Sequence, residues 1–208
     1  MRPIGAAVRR VLGRFEAPAG RFYRDLFFDV RAFGEALRGW TAATSILEIG
    51  CGDGLVTEEL RRVFPQAEIV GIDVRPEVGR LFRGDRAGIT FLSGDIPGFA
   101  RHNRSRFDLA VISDVLHHVA PDRRPDLLRS AVVGLRAGSG LAIKEWERRR
   151  NPAHFFAWVS DRFITGDQVW FETAQSWRAL VAAVLEGNVE RELRLPPWRN
   201  NLGLFIRL

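Results

Sequence analysis

Apolar positions along the chain follow two rhythms that alternate from one segment to the next. Ile46, Leu47 and Ile49 make a short strand-favouring run around Glu48. From Leu55 to Phe64, residues Leu55, Val56, Leu60, Val63 and Phe64 recur at helical spacing until Pro65 ends the pattern. Glu68–Val74, Ile89–Ile96, Phe107–Asp114 and Leu141–Glu145 read as further strands. Helices are expected over Pro76–Phe82, Asp126–Arg136 and Thr173–Leu185. Val189–Leu195 and Leu202–Leu208 alternate with period two around Pro196–Asn201, the pattern of a β-hairpin. Upstream, Ile4, Val8, Val11, Leu12 and Phe15 form one helical stripe. After the break at Ala17–Gly20, Phe22, Leu26, Val30, Phe33 and Leu37 form another. Strands alternating with helices predict an α/β protein built on a largely parallel sheet.

The junction of the first strand and its helix carries the most chemistry. Gly50, Gly52 and Gly54 follow Glu48 in the order Glu-x-Gly-x-Gly-x-Gly. Glycine lets the backbone take positive φ and a ligand come close, and the following helix presents free N–H groups. A dinucleotide fingerprint needs glycine at position 55, where this chain has Leu55. A carboxylate two places before the first glycine suits an ammonium, directly or through water, and would repel a pyrophosphate.

This stretch resembles the nucleotide-proximal motif of class I S-adenosylmethionine (SAM) dependent methyltransferases. The resemblance extends to Phe107–Asp114 with Leu116-His117-His118, close to small-molecule and quinone-pathway members, and loosely to the turn Ala137–Gly140. It implies a Rossmann-like methyltransferase fold: a mostly parallel seven-stranded sheet, a C-terminal antiparallel hairpin and helices on both faces. It also implies that SAM is the cofactor, with Glu48, Gly50, Cys51, Gly52 and Gly54 around its amino-acid end. The motifs cover residues 45 to 145; the rest follows by element order.

Asp73 closes the second strand 19 residues after Gly54, close to the step at which α/β nucleotide sites set a carboxylate on a ribose. Two vicinal hydroxyls match one two-oxygen acceptor. Asp73 and the adjacent Val74 are therefore cofactor candidates, against the plainer reading of Asp73 as a helix cap. Asp95 resembles the family residue that faces the adenine amine, with Ile96 beside the ring; Gly-Asp turns are common in any fold. Ser113, Asp114, His117 and His118 should rim the pocket at the fourth strand's end. The Asp/Asn-Pro-Pro-Tyr sequence of enzymes that methylate base amines is absent there.

Methyl transfer to a hydroxyl needs alignment and a base. His118 is the first candidate base, then His117 and Glu145, with a structural histidine pair the alternative. Lys144 and Glu145 point to the same rim or form a solvated pair. The aromatic-rich segment 146–180 is either a lid for a flat or greasy acceptor or core packing.

Composition narrows the choice of function. One cysteine, Cys51, excludes an internal disulfide and a multi-cysteine zinc site. The four histidines, His102, His117, His118 and His154, have no ligand spacing, so no metal is expected. Lys144 is the sole lysine, and the net charge of +6 rests on arginines scattered over the helices, which favours solvated faces over one nucleic-acid surface. No apolar run approaches a membrane span and no signal peptide is visible, so the expected location is cytoplasmic. The basic N-terminal stripe leaves weak contact with a membrane surface as an alternative.

The expectation is an N-terminal helical extension over residues 1–40 covering the pocket, and a methyltransferase domain over 41–208. The domain would act on a small, aromatic or lipid-like acceptor, with oxygen the favoured atom. The rivals are a nucleic-acid methyltransferase, a SAM-binding protein without transferase activity, and a dehydrogenase. Acceptor identity and oligomeric state are not legible in the chain.

Overall fold

The computed structural model describes residues 27–149 and 169–208. Its centre is a seven-stranded sheet in the order β3-β2-β1-β4-β5-β7-β6. The strands are β1 Ser45–Ile49, β2 Glu68–Asp73, β3 Ile89–Ser93, β4 Phe107–Ser113, β5 Leu135–Trp146, β6 Asn188–Leu195 and β7 Asn201–Arg207. The first five run parallel, β7 is antiparallel to β5, and β6 and β7 form the expected hairpin. The described helices are α1 Val30–Arg38, α2 Leu55–Val63, α3 Ile96–His102, α4 Arg124–Val133 and α5 Ala174–Val184.

Period-two alternation divides each central strand between two cores. Leu47, Ile49, Ala110, Ile112, Leu141 and Ile143 face Leu128, Ala131, Trp177 and Val181 of α4 and α5. Ile46, Leu109, Val111 and Ala142 face Phe33 and Leu37 of α1 and Leu60 and Val63 of α2. Helices therefore cover both faces, which is why the parallel strands read as nearly continuous apolar runs. Strand order reverses between β1 and β4, the switch point at which open α/β sheets bind ligands outside the strands' carboxyl ends.

Several expected boundaries are corrected. Of the stripe Phe22–Leu37, Phe22 and Leu26 lie outside the described residues, and α1 starts only at Val30, with Asp29 as its N-cap accepting from the Ala32 N–H at 2.9 Å. No helix forms over Pro76–Phe82. Gly79, at φ +64°, donates its N–H to Gly52 O, and Leu81 donates to Asp53 O, so this backbone bonds to the glycine loop instead of to itself. The third strand stops at Ser93, and an unexpected helix follows because Asp95 caps it through the Gly98 N–H with Pro97 in its first turn. The turn Ala137–Gly140 lies inside β5, as a bulge: Phe107 pairs with Leu135 and Leu109 with Gly140. The first helical stripe (residues 4–15) and Phe155, Phe156, Trp158 and Phe163 lie outside the described residues, as does His154.

Candidate active site

A cleft of about 530 Å³ opens at the carboxyl ends of β1, β2 and β4. The start of the glycine loop, Ile49 and Gly50, lines one side. Gly50, Gly52 and Gly54 all take positive φ (75°, 49° and 89°), the conformation for which their lack of Cβ is needed. A Cβ on Gly50 would come within 2.2 Å of Val115 Cγ2, so the loop and the end of β4 approach closely only because this residue is glycine.

Asp73 sits beside the loop. The Gly52 N–H donates to its Oδ2 and the Arg75 N–H to its Oδ1, both at 2.9 Å. Its carboxylate is thus fixed by two backbone donors at the cleft wall, next to Val74, Arg75 and Ile72. Val74 is 79% exposed, an apolar side chain held out at that wall. Ile96 and Gly94 line the cleft on the same side.

The opposite wall is the turn after β4. Asp114 takes φ +56°, which lets the chain reverse sharply, and its N–H donates to Lys144 O. Glu145 then gathers the turn from beneath. Its Oε1 accepts from the Val115 and Leu116 N–H groups at 2.9 and 2.6 Å, and its Oε2 lies 2.6 Å from His117 Nδ1. His117 is buried, with its ring 5.1 Å from that of Phe171 and 4.1 Å from that of His118. His118 is exposed and lines the cleft together with Asp114, Val119, Leu127 and Trp170.

Lys144 and Glu145 are not a solvated pair. Adjacent strand residues face opposite sides of the sheet, and each is 1% exposed. Lys144 Nζ bonds Asp114 Oδ2 at 2.5 Å and lies 3.8 Å from the centre of the Phe28 ring. Glu145 belongs to the other face, under the histidines.

Six expected cofactor residues do not line the cleft: Glu48, Cys51, Gly52, Gly54, Asp95 and Ser113. Alternation sends Glu48 to the α1–α2 face, where the Thr57 hydroxyl donates to its Oε2 at 2.5 Å. Burial there, with the Asp73 carboxylate adding to it, raises the Glu48 carboxyl to about 7 against the Thr57 hydrogen bond. Cys51 is buried against Gly71, and burial pushes its thiol up, with Glu48 and Asp73 adding to the effect. Asp95 is the cap of α3. Ser113 Oγ is buried without a hydrogen-bond partner at the carboxyl end of β4.

Asp114, His117 and Glu145 bring ligand-type atoms within 4.8 Å of one another. The Lys144 ammonium already holds Asp114, and His117 Nδ1 and Glu145 Oε2 are closer to each other than two ligands of one ion would stand. These contacts make a hydrogen-bond network. Arg75, Val119 and Leu127 went unread as site residues, whereas Trp170 belongs to the aromatic segment read as either lid or core. Arg75 and Leu127 look like ordinary surface and helix positions in an arginine-rich α/β chain, and only the fold brings Trp170 across from His118.

A methyltransferase-domain family model matches residues 46–138. The trans-aconitate 2-methyltransferase of Afipia carboxidovorans is 30% identical over 112 residues, covering 54% of this chain and 42% of that protein. Its counterpart from Paracidovorax citrulli is 29% identical over 114 residues, covering 55% and 43%. The match thus spans somewhat less than half the length of these curated relatives. Among solved structures, the Burkholderia thailandensis 1,6-didemethyltoxoflavin-N1-methyltransferase, with S-adenosylhomocysteine (SAH) bound, has a TM-score of 0.68 at 20% identity, over 97% of this chain and 88% of that one. Mitomycin 7-O-methyltransferase has a TM-score of 0.66 at 20% identity, over 86% and 53%. Residues 46–138 thus match a methyltransferase domain, and the fold is that of the class I SAM-dependent methyltransferases.

Proposed function

We propose that this chain transfers a methyl group from SAM to a small, flat acceptor, with a hydroxyl oxygen as the receiving atom. The observation that carries the reading is the meeting of Asp73 and His118 across one cleft at the sheet's switch point. The residues present suit the cofactor. The loop of positive-φ glycines permits close approach of a ligand, and Asp73 offers carboxylate oxygens to a pair of ribose hydroxyls. Ile72, Val74 and Ile96 offer apolar surface to the base. Bound there, SAM supplies an electrophilic methyl group.

The chain's own part is to hold and deprotonate the acceptor. His118 faces the cleft and takes the hydroxyl proton as the new O–CH₃ bond forms, becoming an imidazolium that returns the proton to solvent. His117 does not face the acceptor; with Glu145 it fixes the turn that carries His118. Trp170 supports an aromatic or otherwise flat acceptor over a highly charged one. The named acceptors of the similar proteins, trans-aconitate, didemethyltoxoflavin and mitomycin, show how widely the acceptor varies on this fold. Among the described residues no helix is long and apolar enough to cross a membrane.

The test is calorimetric titration with SAM, SAH and NADH. Both sulfur nucleotides should bind and NADH should not. Asp73→Ala should weaken binding about 10- to 100-fold, roughly 1.4 kcal/mol per decade. With a screened acceptor, His118→Ala should lower turnover while leaving SAH affinity intact. Failure of the wild type to bind either sulfur nucleotide overturns the reading.

A further inference from the structure

We propose that Arg124 is a positioning residue of this site, holding the histidine turn and the Trp170 wall at a set separation. The inference rests on the cleft being the acceptor site proposed above. Arg124 opens α4 and is 3% exposed, unlike the solvated arginines that dominate this chain. Its Nε donates to Leu116 O at 2.9 Å and Val119 O at 3.1 Å, the two carbonyls that flank His117 and His118. From the same planar group, Nη2 donates to Trp170 O at 2.9 Å and Nη1 to Glu172 Oε1 at 3.1 Å. The Trp170 N–H in turn donates to His117 O at 2.8 Å. One guanidinium therefore ties together the two segments that put His118 and Trp170 into the cleft.

The cost of the arrangement argues for a purpose beyond cohesion. Burying a guanidinium is unfavourable unless its donors are matched, and an apolar side chain over Trp177, whose ring centre is 4.8 Å from Arg124 Cζ, could fill the space more simply. A fork of fixed geometry supplies what an apolar contact lacks: direction toward four acceptors on two segments. Lysine cannot reproduce this, since its donors radiate from one atom.

The test compares Arg124→Met and Arg124→Lys with the wild type, using readouts that do not need the acceptor. SAH affinity is measured by calorimetry, and the reactivity of individual histidines toward diethyl pyrocarbonate by mass spectrometry, below the unfolding transition. SAH affinity should stay within about twofold, because the glycine loop and Asp73 do not touch Arg124. Modification of buried His117 should rise about tenfold or more in both variants as the turn opens, with exposed His102 on α3 unchanged as the internal reference. Failure of lysine to restore protection is part of the expectation.

Unchanged His117 protection in a folded, SAH-binding Arg124→Met protein overturns the proposal. Should both Arg124 variants fail to fold, Glu172→Gln, which alters one of the four acceptors, is read in the same way. A smaller rise at His117 supports the clamp and no rise overturns it. A wild type that binds no SAH removes the methyltransferase reading, while the histidine pattern still decides whether Arg124 holds the turn.

Discussion

Glu145 Oε2 lies 2.6 Å from His117 Nδ1 while Oε1 of the same carboxylate receives the Val115 and Leu116 N–H groups. A carboxylate on β5 thus stands in for the missing neighbours of a turn that leaves β4. Because Glu145 is 1% exposed, water cannot replace it.

That arrangement makes Glu145→Gln and Glu145→Ala informative as a pair. Glutamine keeps an oxygen for the two N–H groups and loses the acceptor for His117, so it should cost about 1 kcal/mol in urea unfolding. Alanine leaves both N–H groups buried and unmatched and should cost about 2–4 kcal/mol. In turnover with an accepted substrate, glutamine should still lower the rate about a hundredfold by releasing the histidine turn. Equal unfolding costs for the two variants would show that the backbone N–H groups do not depend on the carboxylate.

Glu48 predicts a pH dependence of stability. Its carboxyl is raised from an ordinary 4.5 to about 7 in the folded protein, chiefly by burial. The folded state then holds a proton that the unfolded state releases between those values, so the contribution is fully present below pH 4.5 and is lost as pH rises through 7. The loss is on the order of 3 kcal/mol. Glu48→Gln, which can still accept from Thr57, should remove this decline. Parallel urea midpoints for wild type and variant between about pH 4.5 and 8 would show that Glu48 carries no such shift.

Two glycines with nearly the same φ separate backbone strain from crowding. Gly50 (φ +75°) faces Val115 Cγ2, whereas a Cβ on Gly138 (φ +76°) would meet nothing within 4 Å. Gly138→Ala should cost only the left-handed penalty of about 1–2 kcal/mol. Gly50→Ala adds overpacking for a total of about 2–5 kcal/mol and should also weaken SAH binding. Indistinguishable unfolding curves for the two would rule out the close approach of the loop to Val115.

The Lys144–Asp114 pair should respond unequally to removal of its two members. Lys144 is 1% exposed on its side chain and Asp114 is 38% exposed. Lys144→Met leaves a carboxylate that water can reach and fills a similar volume, for a change within about 1.5 kcal/mol. Asp114→Asn, which tolerates the same positive φ, leaves a buried ammonium without its counter-charge and should cost about 3–5 kcal/mol. Denaturant titration of both variants at neutral pH decides the order.

Much of this protein is local in its causes and was legible from the chain alone. The strand–glycine–helix junction at 45–64, the strands starting at Glu68, Ile89 and Phe107, the helix from 174 to 184 and the terminal hairpin follow from periodicity and from glycine and proline punctuation. These signals need only neighbours along the sequence. Boundaries slipped where a distant backbone competed for hydrogen bonds, as when Gly79 and Leu81 bonded to the glycine loop and the expected helix at 76–82 did not form. The cleft was decided at longer range still. Alternation sets the faces of Glu48, Lys144 and Glu145, but the partners they meet there, Thr57, Asp114 and His117, depend on which helices and turns cover each side of the sheet. Arg124 is the extreme case. In sequence it is one arginine among many, and its role rests on carbonyls brought to it from two segments, one of them 46 residues away along the chain. Periodicity tells which way a side chain faces; only the packed fold supplies what it faces.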